Sequence, residues 1–194
     1  MPQVLRRFAR DYPRVKVNLL SDYTRVLQAG FQKGEIDVIL TTEDGPRPGA
    51  KTLAVSPLIW VGAPGGVAWT SRPLRIAFCK DCIFRQPVQR RLDESGVPWE
   101  MAIESTSDQM VYATVSADLA VHAAIEGHEP HSSERIEHGG RLPNLWSIHI
   151  NLYARTVAAT QAQRDLVELI RREFSAPGPG RARPGVEGNR TIPA

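Results

Sequence analysis

The side chains best able to do chemistry sit where apolar runs end. Cys79 and Cys82 form a single C-x-x-C spacing between an apolar run and a helical one. Two thiols so placed would support disulfide exchange. Five histidines, His122, His128, His131, His138 and His149, include one i,i+3 pair. That pair, His128 and His131, lies in a Gly- and Glu-rich stretch with no helix to hold metal ligands in register. Hydroxyls and carboxylates gather in three places: Ser21, Asp22, Tyr23 and Thr24; Thr41 and Thr42; Ser105, Thr106, Ser107 and Asp108. Phe84 and Arg85 set an aromatic ring beside a guanidinium, a pair suited to a small carboxylate. No nucleophile, base and acid occur in a catalytic pattern, and no glycine-rich phosphate loop is present. The residues propose binding and no reaction, so neither a metal nor an organic cofactor is expected.

Such groups act only if secondary structure brings them together. Residues 15–20 are rich in branched side chains between Pro13 and Ser21 and predict a strand. Tyr23, Leu27, Gly30 and Phe31 then recur at helical spacing, with Gly34 as a left-handed cap. A second short apolar run, 36–40, completes a strand–helix–strand unit, which predicts a right-handed parallel crossover. In open α/β sheets ligands bind at the carboxyl ends of strands, beside helix N-termini. That edge carries Tyr23 and Thr24 on one side and Thr41 and Thr42 on the other.

The rest of the chain repeats this grammar. Pro2, Val4, Leu5 and Phe8 predict an amphipathic N-terminal helix over 3–11. Residues 53–61 predict one or two strands broken near Pro57, and the Gly/Pro-rich stretch 62–73 a lobe boundary. Beyond it, 74–78 reads as a strand, 85–94 as a helix, 99–105 as a strand and 107–117 as a helix. Residues 118–125 form a short apolar segment, 126–141 a loop, 145–154 a strand and 162–174 a closing helix. The stretch 176–194, rich in Gly and Pro, predicts disorder. Two α/β lobes with a cleft between them follow: 1–72 with 149–175, and 73–148.

Composition narrows the function. Apolar content of 42% and charged content of 23% are ordinary for a globular protein. No apolar run is long enough to span a bilayer, and the N-terminus lacks the apolar core of a signal peptide, so a cytoplasmic location is expected. The net charge of +3 points to nucleic acid only until it is located. Arg181, Arg183 and Arg190 against Glu187 carry two of the three charges, leaving the body nearly neutral.

Taken in order, the motifs resemble the effector-binding domain of LysR-type transcriptional regulators. MPQVLRRFARDYPRVKVNL opens the chain much as the family's LP-x-x-L-x-x-F-x-x-x-YP-x-V-x-V signature does. GEIDVIL (34–40), PLIWVGAP (57–64) and CIFRQPVQRRLDESGVPWEMAIES (82–105) follow in the family's order. The resemblance implies a two-lobed α/β fold like the type 2 periplasmic binding proteins, with a hinge and an inter-lobe cleft. It also implies a small, anionic effector, with Thr24 where family members place a hydroxyl that holds a carboxylate. By type and position at strand ends and helix starts, Tyr23, Thr41, Thr42, Phe84, Arg85, Ser105 and Thr106 are expected to join it. The domain would form dimers or tetramers through helix 3–11 and helix 107–117. DNA would be contacted only through a winged helix-turn-helix absent from these residues. The family also carries a linker helix and a first strand ahead of its LP helix, so this chain is expected to start late. A family turn reading A-G-L-G-V stands here as Ala117-Asp118-Leu119-Ala120-Val121, with Asp in a place suited to left-handed backbone. Two other readings share the fold or the thiols: a free-standing solute-binding protein, and a redox protein using Cys79 and Cys82.

Overall fold

The computed structural model describes residues 1–157 and 159–175; the expectation of disorder over 176–194 lies outside them. Twelve elements of regular structure form two α/β lobes. The chain opens with α1 (Pro2–Asp11) and α2 (Thr24–Lys33), then β1 (Val38–Glu43) and β2 (Lys51–Gly62). The second set is β3 (Leu74–Cys79), α3 (Arg85–Glu94), β4 (Trp99–Ser105), α4 (Asp108–Ser116), β5 (His122–Ile125) and β6 (Glu134–Arg135). The chain returns through β7 (Ser147–Ala154) to α5 (Gln161–Ser175). A short 3-10 turn over Ala68–Thr70 lies between the sets.

The strand expected over 15–20 does not form, and with it goes the predicted parallel crossover. Residues 16–23 carry no regular structure, with Val15 44%, Leu19 70% and Leu20 60% exposed. Branched side chains favour a strand only where a neighbour supplies ladder hydrogen bonds and a surface to pack on. No described strand lies beside this segment. The second strand runs over 38–43, not 36–40, and β1 pairs antiparallel with β7, from Val38 opposite Ala154 to Glu43 opposite His149. The helix between them ends as expected, with Gly34 at φ 84.

β2 holds the fold together. It runs unbroken for 12 residues through Pro57. From Lys51 to Pro57 it pairs antiparallel with β7. From Leu58 to Val61 it pairs with β5, and Val61 and Gly62 also meet β6 on the opposite side. Pro57 has no N–H to give, and it sits where the strand leaves one partner for the other. The change of partner thus falls at 57–58, ahead of the turn cluster 62–73. The Leu58 amide bonds the Trp146 carbonyl at 2.9 Å, so the outgoing and returning chains are tied at the same level.

Each lobe has its own core. Val4 on α1, Leu53, Leu152 and Ile170 on α5 are buried together, joined by the half-buried Leu40, Leu166 and Val167. Part of the apolar side of α1 is therefore used inside the chain, against α5. In the second lobe Leu58, Trp60, Leu74, Ile76, Phe78, Val88 and Leu92 form one cluster. β3 and β4 pair in parallel around α3, as their order predicts. Asp118 has φ 56, and its carboxylate accepts from the amides of Val67 and Ala68 at 2.9 and 3.0 Å. One residue thereby makes a left-handed turn and pins the turn cluster. α3 is anchored chiefly by Val88 and Leu92, both fully buried. Leu92→Ala is expected to cost about 2–5 kcal/mol, measured by urea unfolding followed through tryptophan fluorescence.

Candidate functional site

The two lobes face each other across a groove with two chambers. Thr24, Ile83 and Phe84 line both. The larger, about 870 Å³, is bounded by Gln28, Phe31, Glu43, Arg47, Trp146 and Tyr153 among others. The smaller, about 300 Å³, is bounded by Asp22, Tyr23, Thr42, Cys79, Asp108, Tyr112 and His122 among others.

Helix geometry puts Thr24 at this junction. Tyr23 is the N-cap of α2 and Thr24 its first helical residue, so the hydroxyl is not spent on capping. It donates to the Thr42 carbonyl at 3.3 Å and accepts from the Thr42 amide at 3.4 Å. Both bonds are long and therefore weak. Beside them, the first-turn amides of α2 have no intrahelical acceptor and point along the positive end of the helix dipole. The arrangement offers donors to an anion.

The other expected residues are placed unevenly. Tyr23, Thr42 and Phe84 meet Thr24 at the smaller chamber. Thr41 is buried and donates its hydroxyl to Glu43 at 2.5 Å. Arg85 is turned onto Glu104 of β4 by an ion pair. The Ser105 hydroxyl accepts from the Ser107 amide at 3.0 Å. None of Thr41, Arg85, Ser105 and Thr106 lines either chamber.

Two polar centres lie outside the set of residues expected to hold the effector. Glu43 is buried on β1 and accepts from Thr41, from Tyr153 at 2.9 and 3.2 Å, from Gln28 at 3.3 Å and from Arg47 at 3.2 Å. A buried carboxylate is tolerable only with such a set of donors. Burial, and then Glu43, push the Tyr153 phenol up to about 12. The period-2 alternation Ile39, Thr41, Glu43 was the available signal, since it assigns all three to one face. The second centre is Asp108 at the start of α4. It accepts from the Cys79 thiol at 2.8 Å, and the Tyr23 hydroxyl reaches it at 3.5 Å from the other lobe.

His122 lies deep behind these groups. Its Nδ1 is 2.7 Å from the Ala77 carbonyl, so that nitrogen carries the proton and Nε2 is left as an acceptor. Its ring packs tilted on Phe78 at 4.7 Å. Burial lowers its pKa below the usual 6.5. The unfolded chain therefore binds more protons than the folded one just below pH 6.5, and stability must fall as pH drops through that window. His122→Gln is expected to flatten this part of the urea-derived stability profile between about pH 7 and 5, relative to the unaltered chain.

The thiols do not resemble a redox pair in activity. Burial, and then Asp108, push Cys79 up to about 11; burial also raises Cys82. A reactive cysteine needs the opposite shift. Alkylation of both by iodoacetamide is expected to accelerate only in alkaline solution; a midpoint below about pH 7.5 would restore the redox reading. Among the described residues no group of three or more His, Cys, Asp or Glu is arranged to hold a metal ion, and no helix is long and apolar enough to cross a membrane.

Comparison with known proteins completes the picture. The LysR substrate binding domain family matches residues 1–175. The C-terminal domain of a probable LysR family regulator from Rhodococcus sp. RHA1 superposes with a TM-score of 0.66 at 16% identity, covering 91% of this chain and 92% of that one. The BenM effector binding domain with its effector benzoate gives 0.63 at 13% identity, over 92% and 89%. The effector binding domain of QuiR in complex with shikimate gives 0.64 at 10% identity, over 90% of each. At these identities the likeness is one of fold, the two-lobed type 2 arrangement of periplasmic binding proteins. Together with the profile match over nearly all the described chain, it places this protein in the LysR substrate binding domain family.

Proposed function

We propose that this chain is the effector-binding and oligomerisation part of a LysR-type transcriptional regulator, and that a small molecule bearing a carboxylate binds between its lobes. The observation that carries the reading is Thr24. It stands where both chambers meet, its hydroxyl holds only long bonds, and the N-terminus of a ten-residue helix opens beside it. Tyr23, Thr42 and Phe84 form the rest of this contact. Arg85, Ser105 and Thr106 line neither chamber, and Thr41 acts through Glu43. Support for a carboxylate comes from the physics of the helix terminus and from benzoate and shikimate in two structures of the same fold.

The mechanism is binding and not catalysis. A ligand touching both lobes binds their closer arrangement better, and so shifts the population towards it. β2 and the strand returning at 146–147 are the two crossings through which that change would pass. Self-association would then carry it to a DNA-binding winged helix-turn-helix, in the cytoplasm. α4, on which Met110 is exposed, is the face we assign to self-association.

A thermal-shift titration with benzoate and shikimate tests the reading. Either or both should raise the melting temperature, and Thr24→Val should weaken the response about tenfold, the loss of one charge-assisted hydrogen bond. A response unchanged in Thr24→Val, or none to any small carboxylate, would sink it.

A further inference from the structure

The smaller chamber has an electrostatic character that a carboxylate alone does not explain. Of the described residues lining it, two are acidic, Asp22 and Asp108, and none is Arg or Lys. The arginines that follow the lining residues Thr24 and Phe84 in sequence are engaged elsewhere: Arg25 pairs with Asp81 at 3.1 Å, and Arg85 with Glu104. Asp22 is turned back onto the Tyr23 amide at 2.7 Å. Asp108 is the free charge. Its side-chain partners are a thiol, a weak donor, and a phenol at the outer limit of hydrogen-bond length. The α4 N-terminus offsets part of its charge but does not supply a full counter-ion.

A second acceptor stands in the same chamber. His122 is 8% exposed, lines the cavity, and bonds the Ala77 carbonyl through Nδ1. Nε2, the unprotonated nitrogen of that tautomer, is therefore left as an acceptor. Around these two acceptors stand the rings of Tyr23, Phe84 and Tyr112, whose faces are negative. A carboxylate, three aromatic rings and an imidazole acceptor, with neither Arg nor Lys among the described lining residues, form a site for a donor-rich positive group.

We infer that the second-lobe wall of this chamber recognises a cation, a primary ammonium or an amidinium, through Asp108, with His122 Nε2 and the rings of Tyr23 and Tyr112 around it. The inference rests on the effector reading above and deepens it. The effector would carry a carboxylate at the α2 terminus and a positive nitrogen towards Asp108, an amino-carboxylate and not a simple acid. On binding, the ammonium replaces the Cys79 thiol as donor to Asp108. No bond is made or broken covalently.

Amide chemical shifts of the ¹⁵N-labelled chain, titrated separately with benzylamine and with benzoate, decide it. These probes share a ring and size and differ in charge. Benzylamine should move the amides of Tyr23, Cys79, Asp108 and Tyr112, and benzoate those of Thr24 and Arg25. Asp108→Asn should weaken benzylamine about two- to fivefold, the upper part of the range for an exposed ion pair, and leave benzoate unchanged. Benzoate moving the second-lobe amides as strongly as benzylamine does would overturn the inference. So would benzylamine binding that survives Asp108→Asn. If benzoate binds at α2 and benzylamine nowhere, the cation site fails and the effector reading stands; if neither binds, both fall. The comparison in the unaltered chain decides the matter even where Asp108→Asn fails to fold.

Discussion

The continuity of β2 is the constraint from which the rest follows. A strand of 12 residues cannot be fully paired by one small sheet here, so its two halves belong to different cores. Pro57 marks the exchange because it can give no hydrogen bond to either partner. The return at 146–147 is tied to the same level through Trp146 and Leu58. Two lobes joined by two adjacent strands can tilt against each other with little loss of packing, since each keeps its own apolar cluster. A groove between them is the geometric result.

The groove's two chambers treat carboxylates in opposite ways. Glu43 is buried and surrounded by four donor side chains, so its charge is satisfied internally and stiffens β1 against α2. Asp108 is open to the cleft with a thiol as its near partner. The difference is one of topology. Glu43 lies within a sheet flanked by α2, where donors from β1, β7 and α2 converge. Asp108 lies at a helix start facing the other lobe, where its strongest partner must come from outside. A closed network contributes stability, while an open one leaves affinity for a ligand. Contacts that already cross the groove, Arg25 to Asp81 and Tyr23 to Asp108, are exposed or long. They hold the lobes together only weakly, which leaves a ligand room to change their spacing.

Local periodicity made most of the elements legible. α3, β4, α4, β7 and α5 lie within a residue or two of their expected bounds, because each combines a regular apolar pattern with nearby turn residues. The left-handed Gly34 and Asp118 were legible for the same local reason. The strand over 15–20 was not, for its apolar residues had the right type but no neighbour to pair with. β2 was read as broken because proline is a local signal against a ladder, and only the sheet shows that no ladder bond is needed there. At the site, Thr24 and Phe84 were visible as residues flanking helix starts. Glu43, Asp108 and His122 gain their meaning from partners 15 to 110 positions away, such as Gln28, Cys79, Ala77 and Tyr153.

By itself, then, the sequence determined the alternating α/β grammar, the order of motifs that marks the family, and the absence of any catalytic pattern. Side-chain type and spacing act over a few residues, and these properties are set at that range. The tertiary structure alone decided that β1 runs antiparallel to β7, that β2 serves both lobes, and that Thr41 and Arg85 are spent on Glu43 and Glu104. It also decided that the Cys79 thiol at the end of β3 faces the Asp108 carboxylate at the start of α4. Which donor meets which acceptor depends on how strands and helices pack against one another within each lobe, and local spacing alone does not encode that.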